Sequence, residues 1–158
     1  MRSGRSGNVP GLPFSVEVRT RRLGDVAPIP LDWLWPQRVP MAKVTLLVGD
    51  PGCGKSLLAL DMAARVTRGL AWPDAAGGSA PPGNVVLLSA EDDVADTIRP
   101  RLEAAGGDAD RVTILQAIRR DITTFDTGME TELRFSLSRD MGMLERAIQL
   151  THEVRLVV

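Results

Sequence analysis

A run of residues in this chain combines glycine, lysine and serine at the spacing G-x-x-x-x-G-K-S. Glycine backbones can adopt positive φ and approach a ligand closely, so that main-chain amides point at an anion. Lys55 can bring a mobile positive charge to phosphate groups, and the Ser56 hydroxyl is a hard oxygen ligand for Mg²⁺. The pattern therefore predicts a phosphate-binding loop. Together with the residue after it, the loop comprises Gly49, Asp50, Pro51, Gly52, Cys53, Gly54, Lys55, Ser56 and Leu57.

A second group of candidate residues follows an apolar run. The sequence Val-Val-Leu-Leu at 85–88 leads through Ser-Ala into Glu91, Asp92 and Asp93. Open α/β sheets place their chemistry at the carboxyl ends of parallel strands. Glu91 can orient a water molecule there, or it can cap a helix or pair with Arg99. Asp92 and Asp93 are both candidates for the cap of the following helix.

These residues need a scaffold in which strands alternate with helices. Short apolar runs predict buried strands, and apolar residues at helical spacing predict the helices between them. This alternation predicts an α/β fold with a parallel sheet that is buried on both faces. The predicted strands are 44–48, 84–89, 112–115 and 154–158. The predicted helices extend from the glycine loop to 68, from the acidic residues to about 105, and over 139–150, with loops at 71–83 and 116–131.

Three details of the helices can be predicted as well. Gly69 is expected to terminate the first helix as its C-cap residue. Pro100 is expected to kink or break the second helix, because proline lacks an N–H and its ring clashes with the preceding turn. The third helix is expected to bury one face. That face comprises Met143, Leu144, Ala147, Ile148 and Leu150.

Composition limits the classes of protein that this chain can represent. A length of 158 residues suits one core and is too short for two ordinary domains. The net charge of -1 gives no overall nucleic-acid footprint. Cys53 is the only cysteine, which fits a reducing cytoplasm, and we interpret it as a small loop residue rather than a redox sensor. The apolar runs are far shorter than a membrane span.

The first part of the chain is predicted to differ from the rest. Residues 1–27 are rich in Arg, Gly, Ser and Pro and are expected to form a flexible tail. Residues 28–36 contain two tryptophans and three prolines. This segment is expected to form a lid over one edge of the core, or alternatively to stack an indole on the base of a nucleotide.

From 33 to 158 the order of features resembles the RecA-like P-loop ATPases. The closest branch is the AAA-type group that is placed with the RepA-like hexameric replicative helicases. The resemblance is carried by Trp-Leu-Trp-Pro at 33–36, the glycine loop, Trp-Pro at 72–73, and Asn-Val-Val-Leu-Leu-Ser-Ala-Glu-Asp at 84–92.

This resemblance implies a three-layer sandwich with a mostly parallel sheet, and ATP and Mg²⁺ as ligands. It implies Lys55 and Glu91 as catalytic residues, with Glu91 as the base that polarises water, and Ser56 as the metal contact. It also implies a homo-oligomeric ring that contacts DNA through other regions. In the family an aspartate ends the Walker B strand, and 156–158 resemble that strand without the aspartate. A partial ATPase domain at 28–158, truncated at this strand and weakly active at most, is therefore expected.

Several functions are compatible with these features. The first is an ATP-hydrolysing, helicase-like motor that serves DNA replication or plasmid maintenance. The second is a nucleotide-binding switch that regulates a partner without motor activity. A small-molecule kinase would need an arginine-rich lid, for which Arg119 and Arg120 are candidates. A non-functional fragment is the fourth interpretation.

Overall fold

The computed structural model describes residues 20–74, 78–89, 92–115, 118–120, 130–132 and 136–158. Contacts divide the chain into two units, Met1–Leu31 and Asp32–Val158. In the first unit, the described residues are exposed and include one 3-10 turn at Leu23–Asp25. The candidate site residues all belong to the second unit.

A three-stranded parallel sheet forms the centre of the second unit. Strand β3 (Asn84–Leu88) lies between β4 (Val112–Leu115) and β7 (Val154–Val157), and it pairs in parallel with both. Val85 and Val86 are completely buried, as expected for the middle strand of such a sheet. The structure thus confirms three of the four predicted strands and the parallel α/β fold class.

Helix α1 (Lys55–Arg68) supplies the largest helical share of the core. Its buried residues Ala63, Ala64 and Val66 belong to one apolar cluster with Val85 and Leu87 of β3. The helix ends where predicted, because Gly69 adopts a left-handed conformation with φ of 66° and its N–H donates to the Arg65 carbonyl.

The second helix changes type along its length. Residues Val94–Ile98 form a π-helical turn, and helix α2 continues it as Arg99–Ala104. The amides of Ile98 and Arg99 donate to carbonyls five residues back, those of Asp93 and Val94. Pro100 has no N–H for the usual bond to the residue four positions earlier. The predicted disruption is therefore a change from π to α geometry rather than a break in the helix.

The last helix, α3 (Leu137–Leu150), buries a narrower face than predicted. Leu144 is buried and Ala147 and Ile148 are half-buried, but Met143 and Leu150 are exposed. The buried face continues instead to Asp140, one turn before Leu144. The Asp140 carboxylate accepts a 2.8 Å hydrogen bond from the Ser136 amide. A first-turn carboxylate that accepts from the N-cap amide therefore extends the buried face, and an apolar pattern cannot reveal it.

The expected strand at 44–48 is wrong. The segment is not part of any sheet of the described residues, and Val44 and Val48 are 98% and 77% exposed. An apolar, β-branched run favours a strand, but a strand forms only where a neighbour supplies main-chain partners. None of the described strands pairs with this segment.

The loop prediction for 116–131 also needs a correction. Strand β5 (Ile118–Arg120) pairs in antiparallel fashion with β6 (Glu130–Glu132), so that Ile118 lies opposite Glu132 and Arg120 lies opposite Glu130. Most residues of this pair are polar, so apolar periodicity does not predict it. Main-chain hydrogen bonds can form strands whatever the side chains are. The other residues of that stretch lie outside the described part of the chain.

Two tryptophans close one side of the core. Strand β1 (Trp33–Trp35) forms a hairpin with β2 (Val39–Pro40). The Trp35 and Trp72 rings stack with their centroids 4.7 Å apart, and both are buried, with 7% and 4% exposure. Arg38 lies over the Trp35 ring, 5.3 Å from its centroid. This packing agrees with the predicted lid for 33–36 only, because 28–32 are exposed. Trp35 has no ring face available for a nucleotide base.

A carboxylate completes this aromatic group. Asp74 accepts hydrogen bonds from the Trp35 indole at 3.1 Å and from Arg38 Nε at 2.7 Å. The Arg38 bond, followed by the indole bond, lowers the pKa of Asp74 below its ordinary value of 3.8. We call Trp35, Arg38, Trp72 and Asp74 the tryptophan clasp.

Candidate functional site

The predicted phosphate-binding loop forms the turn that opens α1. Within it, the Cys53 amide donates to the Asp50 carbonyl at 3.3 Å, and the Leu58 amide makes the first helical bond to Gly54 at 2.9 Å. No side chain caps the helix at Gly54. The amides of the first turn have no partner inside the helix and point toward its N-terminal side. Their donors, together with the positive end of the helix dipole, suit an anion.

The loop glycines are needed for two different reasons. Gly52 and Gly54 have φ of 79° and 90°, which other residues rarely adopt. Gly49 is not in that region, but a Cβ there would lie 2.8 Å from Cys53 Sγ. Gly52 and Gly54 therefore suit the backbone conformation of the loop, whereas a Cβ at position 49 would require the Cys53 side chain to move.

Lys55 folds back over the loop. Its Nζ donates to the carbonyls of Gly49 and Asp50, each at 2.8 Å, and Cys53 Sγ lies 3.9 Å away. The ammonium group is therefore held at the loop by two neutral acceptors. A phosphate oxygen is a stronger acceptor for a cation than a carbonyl, so an incoming phosphate can take over this donor.

A cavity of about 260 Å³ lies against the start of α1 and the carboxyl end of β3. Lys55 and Ser56 contribute to its wall from α1, and Ser89 and Asp92 contribute from the residues after β3. Its apolar wall comprises Leu47, Ala59, Leu60, Leu87, Leu88, Ile98 and Val158. The structure thus brings the loop lysine and serine together with the end of β3, as the parallel sheet predicts.

The acidic residues after β3 have separate places. Glu91, the predicted base, lies outside the described residues. Asp93 caps the following helix, since its Oδ1 accepts from the amides of Ala95 and Asp96 at 2.7 and 3.1 Å. Asp92 is not the cap. Its carboxylate lies 3.9 Å from Arg101 Nη1, and its carbonyl accepts from Ser89 Oγ at 3.3 Å.

Ser89 was not among the predicted site residues, and Asp92 was named with the strand-end carboxylates but given only a possible capping role, although both residues border the cavity. The signal was present, because both belong to the run that follows β3 and includes Glu91. The structure was needed to assign the cap to Asp93, which leaves Asp92 on the cavity. His152 is exposed just after the end of α3.

These residues fit a nucleotide phosphate group with its magnesium ion. The glycine backbone leaves room for an anion, Lys55 balances part of its charge, and the Ser56 hydroxyl is an oxygen ligand of the kind Mg²⁺ prefers. In the described part of the chain, three or more His, Cys, Asp or Glu residues nowhere gather into a group that could hold a metal ion. A metal here would therefore need oxygen ligands from the nucleotide as well.

A parallel α/β sheet with a glycine loop and helix at its carboxyl edge is consistent with the class of P-loop NTPase folds. The chain matches the family model described as an AAA domain over residues 13–158, and it belongs to this family. Membership indicates an ATP-binding ATPase. No solved structure matches the chain. Among the described helices, none combines the length and apolar character needed to cross a bilayer.

Proposed function

We propose that residues 28–158 form a RecA-like ATPase core that binds Mg·ATP on the glycine loop 49–56. The observation that carries this proposal is the shared cavity, where Lys55 and Ser56 meet the end of β3. A phosphate-binding site requires main-chain donors, a cation and a metal ligand within reach of one ligand. The uncapped first turn of α1, Lys55 and Ser56 supply these three groups.

In this proposal each loop residue has a defined task. The amides of Gly52 to Leu57 donate to phosphate oxygens, and Lys55 exchanges its two carbonyl acceptors for phosphate. The Ser56 hydroxyl holds Mg²⁺. When bound, the metal neutralises charge on the phosphates and polarises them for attack.

Glu91 is proposed as the base that orients the attacking water. Its neighbours in sequence support this role, because Ser89 and Asp92 both border the cavity. A carboxylate at this position can accept a proton from water in line with the terminal phosphate.

The finer parts of the proposal follow the resemblance to RepA-like helicases. They are a three-layer sandwich, a homo-oligomeric ring, a cytoplasmic location, and a motor role in DNA replication or plasmid maintenance. Support comes from the AAA family membership and from the Trp-Leu-Trp-Pro and Ser-Ala-Glu-Asp runs. The single cysteine fits a reducing compartment.

The loop proposal is tested by a pair of lysine variants. Lys55 and Lys43 are the only lysines of the chain, and Lys43 is exposed before the loop. Titration of ATP with Mg²⁺ in a calorimeter should show affinity at least about tenfold lower for Lys55→Ala, the loss expected for a hydrogen bond to a charged group. Lys43→Ala should bind as the unmodified chain does. Equal affinities for all three proteins would contradict the proposal.

The catalytic part is tested at Glu91. Glu91→Gln should keep its affinity for ATP but hydrolyse it at least about 100-fold more slowly, which is the lower range for loss of a general base. Glu145→Gln, on the exposed side of α3, is the matched control. Unchanged hydrolysis in Glu91→Gln would refute the base role. A biological function that survives this variant would favour the nucleotide-binding switch over the motor.

A further inference from the structure

Asp92 is a charged residue of the cavity to which the loop motif gives no role. Its side chain is 39% exposed, and the residue borders the same cavity as Lys55 and Ser56. Its neighbour Asp93 is engaged in capping the helix through two amides. Two adjacent aspartates of the same charge therefore serve different parts of the structure, and only Asp92 borders the cavity.

A carboxylate in this place is unfavourable for a bare triphosphate. Like charges repel, and at a carboxylate that is 39% exposed the repulsion is moderate because water screens it. A divalent cation between the carboxylate and the phosphates reverses the sign of the interaction. Asp92 thus opposes free ATP and favours ATP that carries a metal.

The ligand preference of Mg²⁺ agrees with this arrangement. The ion is usually held by one or two carboxylates together with phosphate oxygens and several waters, rather than by an all-protein cage. In the part of the chain that the structure describes, clusters of three or more metal-binding side chains are absent. One hydroxyl and one carboxylate beside a nucleotide are therefore a suitable protein contribution.

We propose that Asp92, which borders the same cavity as Lys55 and Ser56, binds the Mg²⁺ of the nucleotide or its water shell and makes nucleotide binding depend on magnesium. The inference rests on the proposed function, since it concerns the same cavity. It adds a carboxylate to the Ser56 hydroxyl as the protein's part of the metal site.

Arg101 is a positioning residue for this carboxylate. Its Nη1 lies 3.9 Å from Asp92 Oδ2, and it is placed by the first turn of α2, directly after Pro100. With no metal present, the guanidinium partly balances the charge of Asp92. The ion pair is half-exposed and long, so a divalent cation can compete with it for the carboxylate.

The test compares two isosteric variants, Asp92→Asn and the matched control Asp93→Asn. Asparagine is also a good helix cap, so the control retains its structural role. For each protein, the affinity for ATP is measured by calorimetry with excess Mg²⁺ and again with EDTA. The quantity of interest is the dissociation constant in EDTA divided by the dissociation constant in Mg²⁺, which is the factor by which magnesium tightens binding.

Asp92→Asn is expected to lower this ratio at least about tenfold, as loss of one charged metal contact would do. Part of the change should be a tighter affinity in EDTA, because the repulsion is removed. Asp93→Asn should keep the ratio of the unmodified chain. An unchanged ratio in Asp92→Asn, or an equal loss in Asp93→Asn, would overturn the inference alone. Absence of any nucleotide binding by the unmodified chain would overturn the proposed function with it.

Discussion

The two ends of helix α1 each have a glycine with positive φ, but their surroundings differ. At the C-terminal end, Gly69 follows Val66 and Thr67, which are buried, and its amide is bonded to Arg65. At the N-terminal end, Gly54 has no side-chain cap and the preceding loop residues are exposed. Burial and bonding at one end hold the helix in place, which leaves the donors of the other end available to a ligand.

Around the C-terminal end, the side chains of Thr67 and Arg65 each make more than one hydrogen bond. Thr67 Oγ1 donates to the Ala64 carbonyl at 2.8 Å and accepts from the Asp108 amide at 3.0 Å. Arg65 pairs with Asp61 at 2.7 Å and also donates to the Ala71 carbonyl. The hydrogen bond that Arg65 donates to the Asp61 carboxylate raises the pKa of Arg65. At the loop end, by contrast, Lys55 donates to main-chain carbonyls that a ligand can replace. Local opening of the loop end should therefore require less free energy than local opening of the C-terminal end.

The largest expected effect on stability separates the two ends directly. Val66→Ala removes buried methyl groups and leaves a cavity, so it should lower the free energy of unfolding by about 2 kcal/mol. The matched control is Leu57→Ala in the first turn, where the side chain is 56% exposed. This control should change stability by no more than about 0.5 kcal/mol. Urea denaturation measures both, and comparable losses would show that the two ends are equally important for stability.

A pair of glycine variants tests the division of labour between the ends. Gly69→Ala places a side chain at φ of 66° and should cost about 1 kcal/mol of stability without changing nucleotide affinity. Gly54→Ala meets nothing within 4 Å but places a side chain at φ of 90°. The exposed loop can relieve this strain by shifting, so stability should fall less while the affinity for Mg·ATP falls at least about tenfold.

Denaturation and calorimetry on the same two variants decide the outcome. A loss of affinity in Gly69→Ala, or full affinity in Gly54→Ala, would contradict the division between a structural end and a binding end.

Two apolar runs show how far the sequence determines the sheet. Both 44–48 and Asn84–Leu88 are short, apolar and rich in β-branched residues, and both were predicted as buried strands. Only the second has neighbours on both sides, in β4 and β7. Local composition indicates that a segment favours a strand, but whether a partner strand lies beside it depends on distant parts of the chain.

The candidate site shows the same limit at the level of single residues. Positive φ at Gly52 and Gly54 and the helix end at Gly69 were predictable, because they depend on local backbone chemistry. Which of Asp92 and Asp93 caps the helix was not predictable, since both residues have the same side chain. The choice depends on the direction of the chain as it leaves β3, which tertiary packing determines.

The smallest expected effect concerns the tryptophan clasp, which joins β1 to the residues after α1. Because the pKa of Asp74 is lowered in the folded chain, its contribution to stability is present above the unfolded value of 3.8 and is lost as pH falls through the folded pKa. Asp74→Asn should therefore be less stable than the unmodified chain at pH 7, by a small amount, and the difference should disappear in acid.

Urea midpoints followed by tryptophan fluorescence measure this difference at pH 7 and at steps below about pH 4. Asp32→Asn, an exposed aspartate of the same unit, is the control. A difference between Asp74→Asn and the unmodified chain that persists at the lowest pH would mean that the carboxylate charge is not what holds Arg38 and Trp35.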